Sequence, residues 1–103
     1  MKEISVLDLS LKLKEKKIIL LDVREKYELK IAEVSGAVNI PMMQIQAKIS
    51  ELNKKDVFAV MCHSGVRSAQ VCHFLDYHGF TAYNVLGGIN QWSEEIDQNI
   101  KKY

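Results

Sequence analysis

Cys62 lies between a strongly apolar run, Asp56 to Met61, and a run patterned as a helix, Ser68 to Tyr77. His63, Ser64, Gly65, Val66 and Arg67 fill the gap. The reactive form of cysteine is the thiolate, and a thiolate is an anion. The first amides of a helix have no internal partner and carry partial positive charge, so an anion is favoured there. Gly65 can adopt backbone angles closed to other residues and turn neighbouring amides inward. The result is a nest of N–H donors with Cys62 Sγ at its natural centre. Arg67, and His63 when protonated, add positive charge at the rim and further favour the charged sulfur. The chemistry indicated is nucleophilic attack by sulfur. The plainer alternative is a small core cysteine ahead of a turn.

The elements that must hold this loop can be read from the apolar pattern. Ser5 to Lys16 is predicted as a helix, with Ser5 or Asp8 as its cap. Ile18 to Val23 and Val57 to Met61 are short continuous apolar runs, the mark of strands buried on both faces. A short helix is expected over Arg24 to Ile31, a brief strand over Ala37 to Pro41, and a helix over Met42 to Leu52. The helix starting at Arg67 or Ser68 should stop near Gly79, a plausible residue to end it. Thr81 to Leu86 is expected as a strand and Ile89 to Ile100 as a last helix, entered through Gly87-Gly88. Strands alternating with helices over short connections imply an α/β fold, with a mainly parallel central sheet covered by helices on both faces. Ligands in such folds sit beyond the carboxyl ends of the strands, where Cys62 falls.

The remaining bounds are broad. With 103 residues the chain is expected to be one domain, 1–103, able to bury a core without disulfides or metals. A net charge of +1 gives no reason to expect nucleic acid or a membrane surface as partner. No apolar run approaches a membrane span, and the residues after Met1 lack the pattern of a secretory signal. Two cysteines in that setting suggest free thiols in a reducing compartment, so a cytoplasmic location is expected.

Cys62-His63-Ser64-Gly65-Val66-Arg67-Ser68 resembles the active-site loop of rhodanese-like sulfurtransferases, whose single-domain members often show Cys-x-x-Gly-x-Arg-Ser. The resemblance continues in order along nearly the whole chain. Leu21-Asp22-Val23-Arg24-Glu25 with Tyr27-Glu28 is similar to the family's Asp-Val-Arg-Glu motif, and Gly36-Ala37-Val38-Asn39-Ile40-Pro41 to its Gly-Ala-x-Asn-Ile-Pro. Gly79-Phe80, Leu86-Gly87-Gly88-Ile89 and Trp92 resemble its C-terminal signature. One departure stands out: Ala32-Glu33-Val34 replaces the Gly-His-Ile usual before the Gly-Ala pair, which leaves substrate detail open. The resemblance implies a rhodanese-like fold and a two-step transfer. Cys62 takes sulfane sulfur from a donor such as thiosulfate, holds it as a persulfide within the 63–68 loop, and gives it to cyanide, another thiol or a protein acceptor. It implies no cofactor.

Three rival readings differ in what they ask of the loop. Cysteine phosphatases and arsenate reductases resemble it but place five residues between cysteine and arginine, where four stand here. Phosphate-ester cleavage also needs a general acid for its alkoxide leaving group, whereas sulfite leaves unaided. A regulatory module would be expected to have lost the cysteine; a persulfide carrier would keep it and differ only in the acceptor. A redox pair with Cys72 fits poorly, because Cys72 lies well inside the following helix on a face with Ala69 and Leu75 and reads as packing. His73 and His78 are not on one helical face and no third ligand has metal spacing, so no metal site is expected. Trp92 reads as an anchor for the last helix, and Met42-Met43 as packing or a pocket wall. Asp22 and Arg24 read first as a structural hydrogen-bonded pair and second as support for the site.

Overall fold

A computed structural model describes residues 1–103. The two apolar runs form the central strands, β2 (Ile19–Asp22) and β4 (Val57–Met61), which pair in parallel with Leu21 opposite Val60 and Asp22 opposite Met61. Around them stand β1 (Lys2–Ile4), β3 (Val38–Asn39) and β5 (Thr81–Val85), in the order β1-β5-β4-β2-β3, with every pairing parallel. Parallel strands expose two faces, and both are covered. On one face α1 (Val6–Lys14) and α5 (Gly88–Glu95) bury Val6, Leu9, Ile89 and Trp92 against Leu20, Ala59 and Met61. On the other, α3 (Ile45–Lys48) and α4 (Val66–Tyr77) bury Ile45, Val71, Cys72 and Leu75 against Leu21, Phe58 and Val60. The short α2 (Lys26–Leu29) follows β2.

The predicted elements are present, with differences that have local causes. Ser5 caps α1, its hydroxyl accepting from the Asp8 amide at 3.1 Å, so the helix begins one residue later than expected. The helix expected over Met42 to Leu52 is broken: 3₁₀ turns at Met42–Gln44 and Ile49–Glu51 flank four α-helical residues. The helix expected to reach Ile100 ends at Glu95, and the Ile100 carbonyl instead accepts from the Ser93 hydroxyl at 2.6 Å. Strand β1 was not foreseen. With three residues, two of them exposed Lys and Glu, it carries no alternation to read, and its order comes from pairing with β5. Gly79, at φ +85, accepts the left-handed turn after α4. No helix is long and apolar enough to cross a membrane.

Candidate active site

Cys62 follows directly from β4, the middle strand of the sheet, and its carbonyl is held from below by α5. The Ile89 amide donates to Cys62 O at 3.0 Å and the Asn90 amide to His63 O at 3.2 Å. That approach requires Gly88, since a Cβ there would lie 2.5 Å from both carbonyl oxygens. The chain then turns through Gly65, at φ +114 in the left-handed region, and enters α4. The turn brings the Gly65 amide to 3.1 Å from Cys62 Sγ, and the first turn of α4 brings the Ser68 hydroxyl to 3.3 Å.

Cys62 is 1 % exposed. Burial pushes its thiol up, but hydrogen bonds from the Ser68 side chain and from the amides of Ser68, Gly65 and Ser64 outweigh that and hold it below the ordinary cysteine value. The loop thus brings one main-chain amide, that of Gly65, and the Ser68 hydroxyl within hydrogen-bond distance of the sulfur. Val66, by contrast, is exposed and makes no hydrogen bond to the sulfur.

The two rim residues are placed differently from the simplest expectation. Arg67 directs its guanidinium to Glu28, with Nη1 and Nη2 donating to the two carboxylate oxygens at 3.0 and 3.1 Å. It remains charge-coupled to the Cys62 thiolate but gives it no hydrogen bond. The His63 ring stacks on Tyr103, with centroids 4.0 Å apart and planes 6° from parallel, and its Nε2 is buried without a hydrogen-bond partner.

Asp22 and Arg24 form the structural pair of the first reading. Arg24 is fully buried, and its Nε and Nη2 donate to the Asp22 carboxylate at 2.7 to 3.1 Å. Nη2 also donates to the Ala32 carbonyl at 2.8 Å and Nη1 to the Tyr103 hydroxyl at 2.9 Å. The Tyr103 hydroxyl donates in turn to Glu28 Oε2 at 3.1 Å. The pair thus continues through Tyr103 and Glu28 to Arg67 at the start of α4. Glu28 is buried; burial pushes its carboxyl up, but the hydrogen bonds and charge of Arg67 prevail and hold it low. The departure at Ala32-Glu33-Val34 falls on the connection between α2 and β3, in which Ala32 and Val34 are core residues and Glu33 is exposed, so the substituted side chain faces solvent.

Glu28, Asn84 and Tyr103 were not foreseen as part of the site. Asn84 is a buried amide at the end of β5, bonded to both Ser68 and Gly65. An amide inside the otherwise apolar Ala82 to Val85 stretch was the one available signal. Cys72 is a free, fully buried thiol in the α4 core, and His73 and His78 are exposed. Met42 and Met43 line a surface hollow with Ile45, Gln70 and Phe74.

Comparison with known proteins agrees with this geometry. The family described as Rhodanese-like domain matches residues 5–95. The chain is 39% identical over 95 residues to YtwF of Bacillus subtilis (strain 168), provisionally named a sulfurtransferase, covering 91% of this chain and 92% of that one. It is 34% identical over 79 residues to YrkF of the same organism, provisionally named a sulfur carrier protein; the match covers 76% of this chain and 43% of YrkF. Among solved structures it resembles the rhodanese-related protein of Thermoplasma volcanium, with a TM-score of 0.88 at 34% identity over 93% of this chain and 94% of that one. A five-stranded parallel sheet with helices on both faces and a cysteine loop at its carboxyl edge accompany these matches, and the chain belongs to the rhodanese-like family.

Proposed function

We propose that this protein is a sulfurtransferase in which Cys62 carries sulfane sulfur as a persulfide, with a thiosulfate-type donor and cyanide or a thiol as acceptor. The observation that carries the reading is the buried Cys62 Sγ, held at a strand end by the Gly65 amide and the Ser68 hydroxyl. In the first step the thiolate attacks the sulfane sulfur. A new S–S bond forms, the donor's own S–S bond breaks, and its electron pair leaves with sulfite. In the second step the acceptor attacks the outer sulfur, and the pair of the Cys62–sulfur bond returns to the cysteine. Both leaving groups are stable anions, so neither step needs a proton from a general acid. The loop amides support negative charge on the sulfur in each resting state, as an oxyanion hole does for oxygen. The four residues between Cys62 and Arg67 make a tight loop that favours a ligand of one added sulfur over the bulkier tetrahedral phosphoryl of the phosphatase reading.

A carrier role, in which a protein takes the sulfur, uses the same persulfide. It is the second reading, favoured by the similarity to YrkF. We place the protein in a reducing compartment such as the cytoplasm, where both cysteines stay free.

Intact-mass measurement tests the proposal. Thiosulfate should add the mass of one sulfur to the wild type and none to Cys62→Ser, and cyanide should remove it. An unchanged wild-type mass would overturn the persulfide. Release of the sulfur to cyanide or small thiols at a catalytic rate supports the enzyme, whereas release only to proteins supports the carrier.

A further inference from the structure

Asn84 is 5 % exposed on a strand whose neighbours Ala82 and Val85 belong to the core. A buried amide is costly unless its polar atoms are bonded, so its partners show what it is for. Nδ2 donates to the Gly65 carbonyl at 3.2 Å, and Oδ1 lies 2.5 Å from Ser68 Oγ. A carbonyl can only accept, which fixes the amide: Nδ2 faces Gly65 and Oδ1 faces Ser68. Oδ1 can only accept as well. The single proton of the Ser68 hydroxyl is therefore turned toward Asn84.

The same Ser68 oxygen lies 3.3 Å from Cys62 Sγ. With its proton on the Asn84 side, it meets the sulfur with a lone pair. That suits a neutral thiol, whose S–H donates to Ser68. It does not suit a thiolate or a persulfide anion, which has no proton and needs a donor. To serve the anion, the hydroxyl must rotate from Asn84 to the sulfur. Asn84 Oδ1 and Cys62 Sγ compete for one proton, and Asn84 also anchors the carbonyl of Gly65, whose amide is another donor to the sulfur.

We infer that Asn84 is a positioning residue that holds the Ser68 hydroxyl proton while Cys62 is a neutral thiol and yields it when the sulfur is an anion. This rests on the reading of Cys62 as the reacting sulfur. The hydroxyl then acts as a two-position donor, so that the cradle satisfies both the protonated thiol and the anionic sulfur without moving the main chain. Charged and titratable groups around Cys62 are His63 beside it in the loop, Arg67 on α4 with Glu28 behind it, and Cys72 farther along α4. None of them touches Asn84 or Ser68 in the hydrogen-bond network, so substitutions at Asn84 act on the sulfur through Ser68 and Gly65.

The test is the rate of alkylation of Cys62 by iodoacetamide against pH, read by peptide mass, in proteins with Ser68 and with Ser68→Ala. Asn84→Ala removes the competing acceptor. Alkylation below the titration midpoint should become roughly two- to tenfold faster, the scale of one neutral hydrogen bond, and this gain should vanish in the Ser68→Ala protein. Slower alkylation, or an equal gain in both backgrounds, would overturn the proposal. Asn84→Asp keeps the side-chain shape should Asn84→Ala fail to fold. Its carboxylate holds the proton harder, so the midpoint should rise more with Ser68 present than with Ser68→Ala; an equal rise in both would again overturn it. The persulfide mass assay on the wild type stands apart. Its failure would sink the transferase reading, while the Ser68-dependent signs still decide the role of Asn84.

Discussion

Cys62 and Cys72 are both buried to within 1 % and sit ten residues apart, yet their surroundings push their thiols in opposite directions. Burial alone should raise both, because a low-dielectric setting disfavours the charged form. At Cys72 burial prevails, helped by the negative charge of Asp76, and the thiol is pushed up to about 12. At Cys62 hydrogen-bond donors outweigh burial. The difference lies in where each residue meets helix α4. Inside a helix every amide is already committed to a carbonyl four residues back, so Cys72 finds no free donor. At the helix start the first amides are uncommitted, and the Gly65 turn folds them onto Cys62. What separates the two thiols is the supply of unspent N–H groups, not exposure.

The largest effect that tests this contrast is on stability at alkaline pH. Between the ordinary thiol value of 9.0 and about 12, Cys72 keeps its proton in the folded protein and loses it in the unfolded chain. Stability must therefore fall as pH rises through that window, by about 1.4 kcal/mol per pH unit for one proton. Cys62 works in the other sense. Its folded value is lowered, so its contribution is complete above the unfolded value and is lost as pH falls through the folded one. Urea unfolding at pH 8 to 10.5 should show Cys72→Ala losing less stability with rising pH than wild type, and Cys62→Ala losing more. Equal slopes in all three would break the comparison.

A smaller effect is expected at Arg67. Arg67→Ala removes a positive charge coupled to the thiolate, so the Cys62 midpoint in an alkylation-against-pH curve should rise. The rise should be less than that of Ser68→Ala, because Arg67 spends its hydrogen bonds on Glu28. Arg67→Ala should also raise the Glu28 carboxyl. In wild type the Glu28 contribution is present above the unfolded carboxyl value and lost as pH falls through its lowered folded value. That acid-side loss should shrink in the variant. An unmoved Cys62 midpoint would sharpen the contrast, leaving the loop's donors as the sole support of the thiolate.

Much of this arrangement could be read from residue order, and the part that could not has a common cause. The apolar runs leading to Asp22 and Cys62 announce buried parallel strands, because period and length are local properties. The loop, with Gly65 before a helix start, announces its amides for the same reason. The Asp22–Arg24 pair was legible because its members stand two positions apart. Glu28, Asn84 and Tyr103 were not, since each acts on a partner far along the chain: Arg67 for Glu28, Ser68 and Gly65 for Asn84, Arg24 for Tyr103. Strand β1 was missed likewise, because its only order is its pairing with β5. The direction in which Arg67 points was illegible too, since it is set by a carboxylate on α2.

The smallest effect on the sulfur is expected at Tyr103, although it links Arg24 to Glu28 within the charged cluster. Its hydroxyl accepts from Arg24 and donates to Glu28, and its ring stacks on His63, but it has no bond to Cys62. Tyr103→Phe keeps the stack and removes the hydroxyl. Arg24 Nη1 is then left with only the Glu28 carbonyl at 3.5 Å, a weak partner for a buried guanidinium. The folded state should lose about 2 kcal/mol, measured by urea unfolding at neutral pH, as for two hydrogen bonds removed at a partly open position. The Cys62 alkylation midpoint should not move, since the Arg67–Glu28 pair that lies between Tyr103 and the loop stays closed. A shift as large as that of Arg67→Ala would mean that the ion cluster and the sulfur cradle respond as one unit. The thiolate would then depend on the whole chain of charges from Asp22 to Arg67 and not on the amides around it alone.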